Sequence, residues 1–150
     1  MKILKWIVSY IAAILIGSIF MMTMHHLSGI MFPEAALAKF PENNPEALRA
    51  FISSMGLGPQ IAALISHWLG TAMGAFIAMR FAPVTDNWLR TQSILKATFP
   101  GWAIGIWFTI GGVANAMMIP MPSWMIAFDL IGYVPFAFLV SRMVVRSRLR

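Results

Sequence analysis

One acidic residue of this chain lies inside a long apolar stretch, whereas the other acids fall in polar connecting segments. That residue is Asp129, within the run from Trp124 to Val140. A carboxyl group at membrane depth is costly unless it meets a partner or water, and it generally marks a functional site. Asp129 is therefore the first candidate for chemistry in this sequence.

His67 is the predicted partner of Asp129. Residues 67 and 80 are thirteen apart, as are residues 129 and 142, so His67 and Asp129 are equally far from Arg80 and Arg142. At a helical rise of about 1.5 Å per residue, both side chains lie about 20 Å from these arginines. Imidazole titrates near neutral pH, so such a pair can handle a proton or a ligand. The alternative is a hydrogen bond that only fixes helix packing, and the sequence leaves both open.

Three further polar side chains belong to the same candidate site. Thr71 follows His67 by one helical turn. His25 and Asn115, counted from the basic residues near the starts of their own helices, are expected in an upper tier roughly 10 Å farther along. The predicted buried polar or ligand site thus comprises His67, Asp129, Thr71, Asn115 and His25.

Cofactors and catalysis are not predicted. The expected gap in depth argues against a haem held between His25 and His67, and no tight ligand spacing supports a metal ion. Haem and a metal ion are therefore the lesser alternatives to a site without cofactor. The sequence contains no glycine-rich phosphate loop, no HExxH and no GxSxG, so we predict that the protein is not an enzyme and name no catalytic residue.

The composition indicates what must position these side chains. Of 150 residues, 59% are hydrophobic and only 11% are charged, and the mean hydropathy is +0.77, which leaves too little polar surface for a soluble domain. Spans of about 20 apolar residues cross a bilayer. We predict an all-α membrane protein, one integral domain over residues 1–150, with four transmembrane helices at about 3–29, 60–81, 97–119 and 124–141.

The basic residues predict the orientation. Nine of them fall on one side of four spans, and only Lys39 and Arg49 on the other, so the positive-inside rule places both termini in the cytoplasm of a bacterial inner membrane. The net charge of +6 then reflects topology and anionic lipid, and nucleic acid is not expected as a partner. The long outer connection contains Asn44 and Pro45, a helix start that predicts a short amphipathic helix at about 45–55.

Small residues indicate which helix faces meet. Gly70, Gly74 and Ala78 form one stripe, and Gly101 and Gly105 lie on another; such stripes allow close packing in lipid. The spans therefore form a four-helix bundle. A weak likeness between the segments that begin at His67 and at Asp129 further indicates a duplicated two-helix hairpin.

The chain resembles a set of small four-span bacterial inner-membrane proteins of uncharacterised role, in its length, its spans and the turn ANAMMIPMPSW after a glycine-rich third span. The resemblance implies a fold and a location and no activity. Two functions are open. The first is a non-enzymatic accessory or structural protein that contacts a membrane-protein partner or a second copy of itself. The second is a small permease-like or ligand-binding bundle that uses an outer polar funnel and the pair His67–Asp129.

Overall fold

The described residues fold into helices, and from Pro45 onward these helices are joined by short connections. The computed structural model describes residues 2–33 and 44–150, and Lys39 and most of the predicted outer connection before Asn44 lie outside the described residues. The helices are α1 (Lys2–Met31), α2 (Pro45–Ser54), α3 (Leu57–Phe81), α4 (Asp86–Thr91), α5 (Ile94–Ala97), α6 (Phe99–Met118) and α7 (Ser123–Leu149). No strand occurs within the described ranges, so the predicted all-helical class is confirmed.

Four helices, α1, α3, α6 and α7, are long and apolar enough to cross a membrane. Their bounds differ from the prediction most at α7, which continues to Leu149 rather than ending near residue 141. The extension is stabilised by packing, because Val144 and Val145 are buried together with Leu89 of α4. Arg148 also pairs with Asp86 at 2.7 Å. Hydropathy places the end of a span at the first charged residues. The helix itself continues as long as its side chains are packed against neighbours.

The short helix α2 begins as the sequence indicates. The side chain of Asn44 accepts hydrogen bonds from the backbone amides of Glu46 and Ala47, and Pro45 occupies the first turn, where its missing amide hydrogen is not needed. Its C-terminal end rests on α3, because the Gln60 amide donates to the carbonyl oxygen of Ile52 at 2.9 Å. This contact holds α2 over the first turn of α3.

Close approach of α1 and α3 depends on glycine. A methyl group at Gly70 would lie 2.6 Å from Met21 Cβ and 2.9 Å from the carbonyl oxygen of Gly17. One at Gly74 would lie 3.0 Å from the carbonyl oxygen of Ala13. The two backbones therefore touch along this seam, and the predicted stripe faces α1.

The contact between α6 and α7 also depends on close approach at glycines. A side chain at Gly105 would meet Ala137 Cβ at 2.9 Å and the Tyr133 carbonyl oxygen at 3.0 Å. Gly101 lies directly against Ser141. These contacts fix the height of α7 relative to α6, and with it the height of Asp129.

The packing departs from a duplicated hairpin. A two-fold repeat would relate α1 to α6 and α3 to α7, so that the packing of α1 against α7 would have to match that of α6 against α3. Within the described chain, α6 packs against both α3 and α7, whereas α1 packs almost entirely against α3. The likeness between the segments at His67 and Asp129 is thus not matched by symmetric packing.

Candidate functional site

The centre of the candidate site is a triangle of hydrogen bonds between α3 and α7. The His67 Nδ1 atom lies 2.8 Å from Asp129 Oδ1, and the Tyr133 hydroxyl donates to Asp129 Oδ2 at 2.9 Å. The same hydroxyl lies 3.2 Å from His67 Nδ1. Asp129 is only 1% exposed, so its carboxyl group is satisfied by side chains rather than by bulk water.

Aromatic packing holds α3 and α7 in the register that this triangle requires. The indole of Trp68 lies directly on Gly132, where any side chain would collide with its ring. The ring also stacks on Phe136, with 5.0 Å between ring centroids. Trp68 adjoins His67, and Gly132 follows Asp129 by nearly one turn, so this contact brings the histidine and the acid face to face.

Asp129 selects the tautomer of the neutral His67 ring. An ionised carboxylate can only accept hydrogen bonds, so the proton of a neutral imidazole resides on Nδ1. The Nε2 atom then carries a free lone pair. No described residue hydrogen-bonds to Nε2 of His67. Among the described residues, the Nε2 lone pair of this tautomer therefore has no hydrogen-bond donor.

His25 lies beside this ring, in contrast to the predicted separation into two tiers. The ring centroids of His25 and His67 are 5.0 Å apart, in an edge-to-face arrangement. Side chains lean toward the N-terminus of their own helix. Because α1 and α3 run in opposite directions, the two imidazoles lean toward each other. The predicted separation rests on backbone rise alone, which leaves out the direction in which side chains lean. It also assumes that both helices begin at the same level.

A cavity of about 380 Å³ reaches His67 from the end of the molecule that carries α2, which we call the cavity end. Its wall includes polar groups from three helices, and the rest is apolar. It is lined by His25, Ile52, Met55, Pro59, Gln60, Ala63, His67, Asn115, Ile119, Met121 and Met125. A mostly apolar pocket with a few convergent polar groups is typical of a small-ligand site.

The predicted site residues divide between the cavity and the core. His25, His67 and Asn115 line the cavity, and Asp129 supports His67 from behind. Thr71 does not take part: it is fully buried, and its hydroxyl donates to the backbone carbonyl of His67 at 2.9 Å. Its small size serves packing, and a threonine in a helix commonly bonds to the preceding turn.

Sequence reasoning missed Tyr133, Gln60 and the cavity methionines. Tyr133 lies four residues after Asp129, a spacing that puts both on one helix face, so a search for partners of the acid would have found it. The roles of Gln60 and Met55 depend on how α2 folds back over α3. No local pattern signals that contact.

Two familiar arrangements, a hydrolase triad and a metal site built only from His, Cys, Asp and Glu, do not occur here within the described residues. Among the described residues, the one hydroxyl hydrogen-bonded to the His67 ring is that of Tyr133, at Nδ1. No described serine or threonine side chain is bonded to this ring, as a hydrolase triad would require. No three His, Cys, Asp or Glu side chains of the described residues are placed to hold a metal ion. What the geometry offers is a supported imidazole at the floor of a cavity.

Comparisons with known proteins found no match among family models, curated proteins or solved structures.

Proposed function

We propose that this protein is a multi-pass inner-membrane protein, a four-helix bundle that binds a small ligand in the cavity above His67. The four long apolar helices support membrane insertion. Basic side chains gather at the end opposite the cavity, which we call the basic end: Lys5, Arg80, Arg90, Lys96, Arg142 and Arg148. Under the positive-inside rule this end is cytoplasmic, and the cavity opens to the periplasm.

The observation that carries the proposal is the cavity ending on a histidine whose far side is held by Asp129. A pair that only fixed packing would be enclosed by apolar side chains. Here the His67 side chain is 12% exposed while that of Asp129 is 2% exposed, so the histidine faces the open space and the acid faces the core. A merely structural or accessory role leaves this arrangement unexplained.

Binding, rather than free passage, fits the core beneath His67. Between the cavity and the basic end, Thr71, Ala75, Ala78, Met79 and Ile104 are at most 1% exposed. Protein interiors packed in this way have no room for water or solute. Permease-like transport would require α3 and α7 to separate, so the conformation described is one that holds its ligand on the cavity side.

The proposal is tested by native mass spectrometry of the purified protein in mild detergent. We expect a bound mass on the wild-type chain and its loss in Ala63→Trp, because Ala63 lines the cavity and an indole would fill it. Ala127→Trp is the matched control, since Ala127 is an exposed residue of α7 away from the cavity. Equal loading of both variants, or no bound mass on wild type after incubation with membrane extract, would overturn the proposal.

A further inference from the structure

We propose that the cavity binds a soft monovalent metal ion, of which Cu(I) is the biological example. The candidate ligands are His67 Nε2, the His25 imidazole and the thioethers of Met55, Met121 and Met125, all of which line the cavity; a tetrahedral ion would take the two imidazoles and two of the thioethers. This inference rests on the proposed function, because it names the ligand of the same cavity.

His67 has the surroundings of a metal-ligating histidine. Such a histidine almost always donates its other ring N–H to a carboxylate or carbonyl, which fixes the tautomer and makes the ligating nitrogen more basic. His67 Nδ1 lies 2.8 Å from Asp129 Oδ1. Tyr133 in turn holds the second carboxylate oxygen at 2.9 Å. The supporting shell is complete, and the nitrogen it would activate is Nε2.

The spacing of the two imidazoles fits one shared ion. When two histidines bind an ion at about 2.0–2.1 Å with a tetrahedral angle between them, their ring centres lie about 5 Å apart. The centroids of His25 and His67 are 5.0 Å apart. A small rotation of His25, which is exposed, would direct one of its nitrogens toward the same point as Nε2.

The methionines decide which metal suits the site. Thioethers are soft ligands that favour Cu(I), whereas Mg²⁺, Ca²⁺ and Mn²⁺ require oxygen ligands. Met55 comes from the end of α2, Met121 from the turn before α7 and Met125 from α7 itself. These side chains have three rotatable bonds, so they can close on an ion in a space larger than the ion.

The charge balance of the cavity agrees with a monovalent ion. The described residues of its lining include no carboxylate, and Asp129 lies behind His67 with both oxygens already hydrogen-bonded. Neutral nitrogen and sulfur ligands leave a bound ion with its own charge, and burying charge in apolar surroundings is costly. Burying one positive charge, with the Asp129 carboxylate behind His67, costs less free energy than burying two.

The test uses Ag(I), a redox-inert probe of Cu(I) sites, titrated into untagged protein in detergent and chloride-free buffer, with Zn(II) in parallel. We expect one tight Ag(I) per chain and much weaker Zn(II) binding. Combined Met55→Leu, Met121→Leu and Met125→Leu changes preserve volume but remove the thioethers, and should weaken Ag(I) binding at least tenfold. Combined Met117→Leu and Met118→Leu changes, at residues 84% and 80% exposed, should leave it unchanged.

A second variant keeps the test independent of the methionines. Asp129→Asn retains the shape of the side chain but weakens the support of His67, and should lower Ag(I) affinity by about tenfold or more, in line with the roughly 10–100-fold loss usual when the hydrogen-bond partner of a metal-ligating histidine is removed. Equal Ag(I) affinity in wild type and the triple leucine variant would overturn the metal assignment, as would Zn(II) binding as tightly as Ag(I). If a different retained mass were still displaced by Ala63→Trp, the ligand-binding function would stand and only the metal would be wrong.

Discussion

The hydroxyl of Tyr133 does more at this site than its position in an apolar helix indicates. It donates to Asp129 Oδ2 at 2.9 Å and lies 3.2 Å from His67 Nδ1. Without it, one oxygen of a buried carboxylate would lack a partner, and an unsatisfied buried acceptor costs more than the bond itself contributes. Tyr133 therefore stabilises both the fold and the orientation of the acid.

Tyr133→Phe should lower the free energy of unfolding by about 1 kcal/mol, the scale of a side-chain hydrogen bond between membrane helices. The free energy is measured by titrating SDS into detergent micelles and following helicity. Tyr10→Phe is the matched control, because the Tyr10 ring stacks on Trp6 and its hydroxyl bonds to no other described residue. An equal loss of unfolding free energy in both variants would show that the Tyr133 hydroxyl does not stabilise the triangle.

At this scale the sequence indicates the acid and the histidine but not their full surroundings. A lone carboxyl in an apolar run needs a partner, and equal helical distances from Arg80 and Arg142 point to His67. The approach of His25 depends on the direction in which side chains lean from antiparallel helices. That direction follows from which helices are neighbours, which the sequence does not state.

The seam between α1 and α3 is the element on which the height of His67 depends. Gly70 and Gly17 bring the two backbones into contact, since each would place a methyl group 2.9 Å from the other's carbonyl oxygen. Membrane helices associate mainly through such packing, because lipid supplies no hydrophobic drive between them. Separation of α1 from α3 would also move His25 away from His67.

Gly70→Ala should destabilise the protein by about 1–3 kcal/mol, the usual cost of overpacking a tight contact. Gly111→Ala is the matched control, because a methyl group there meets nothing within 4 Å. The control should be neutral, or stabilising by up to about 1 kcal/mol, since alanine favours a helix over glycine. Thermal unfolding followed by circular dichroism compares the two, and equal effects would show that the seam is loose.

Helices are the part of the fold that the sequence predicts best. Long apolar runs locate the four long helices, and the start signal at Asn44 and Pro45 locates α2, because these depend on local properties. The extension of α7 to Leu149 depends on contacts with α4, and the asymmetric placement of α1 depends on which faces pack. Neither is a local property.

The molecule as a whole has a basic end and a cavity end, and we propose that these ends lie on opposite sides of a membrane. Lys5, Arg80 and Arg148 lie at the basic end, whereas α2 and the cavity lie at the other. Positive charge is retained on the cytoplasmic side during insertion. A ligand would therefore enter from the periplasm.

The chain contains no cysteine, so single cysteines report this orientation directly. In intact cells whose outer layer admits small reagents, Asn44→Cys should react with a membrane-impermeant maleimide, because Asn44 precedes α2 at the cavity end. Asn87→Cys, in α4, should react only after the cells are lysed. The reverse pattern would place the cavity in the cytoplasm and contradict the proposed route of entry.

The state of one nitrogen tests the central claim most directly, since the proposed ligand site requires a free lone pair on His67 Nε2. The protein has three histidines, so ¹⁵N NMR of histidine-labelled protein at alkaline pH resolves each neutral ring, and His67→Gln identifies the His67 signals. We predict a protonated Nδ1 and an unprotonated Nε2 in His67, because Asp129 accepts from Nδ1. A proton on Nε2 instead would mean that no lone pair faces the cavity, and it would contradict both the proposed ligand site and its metal.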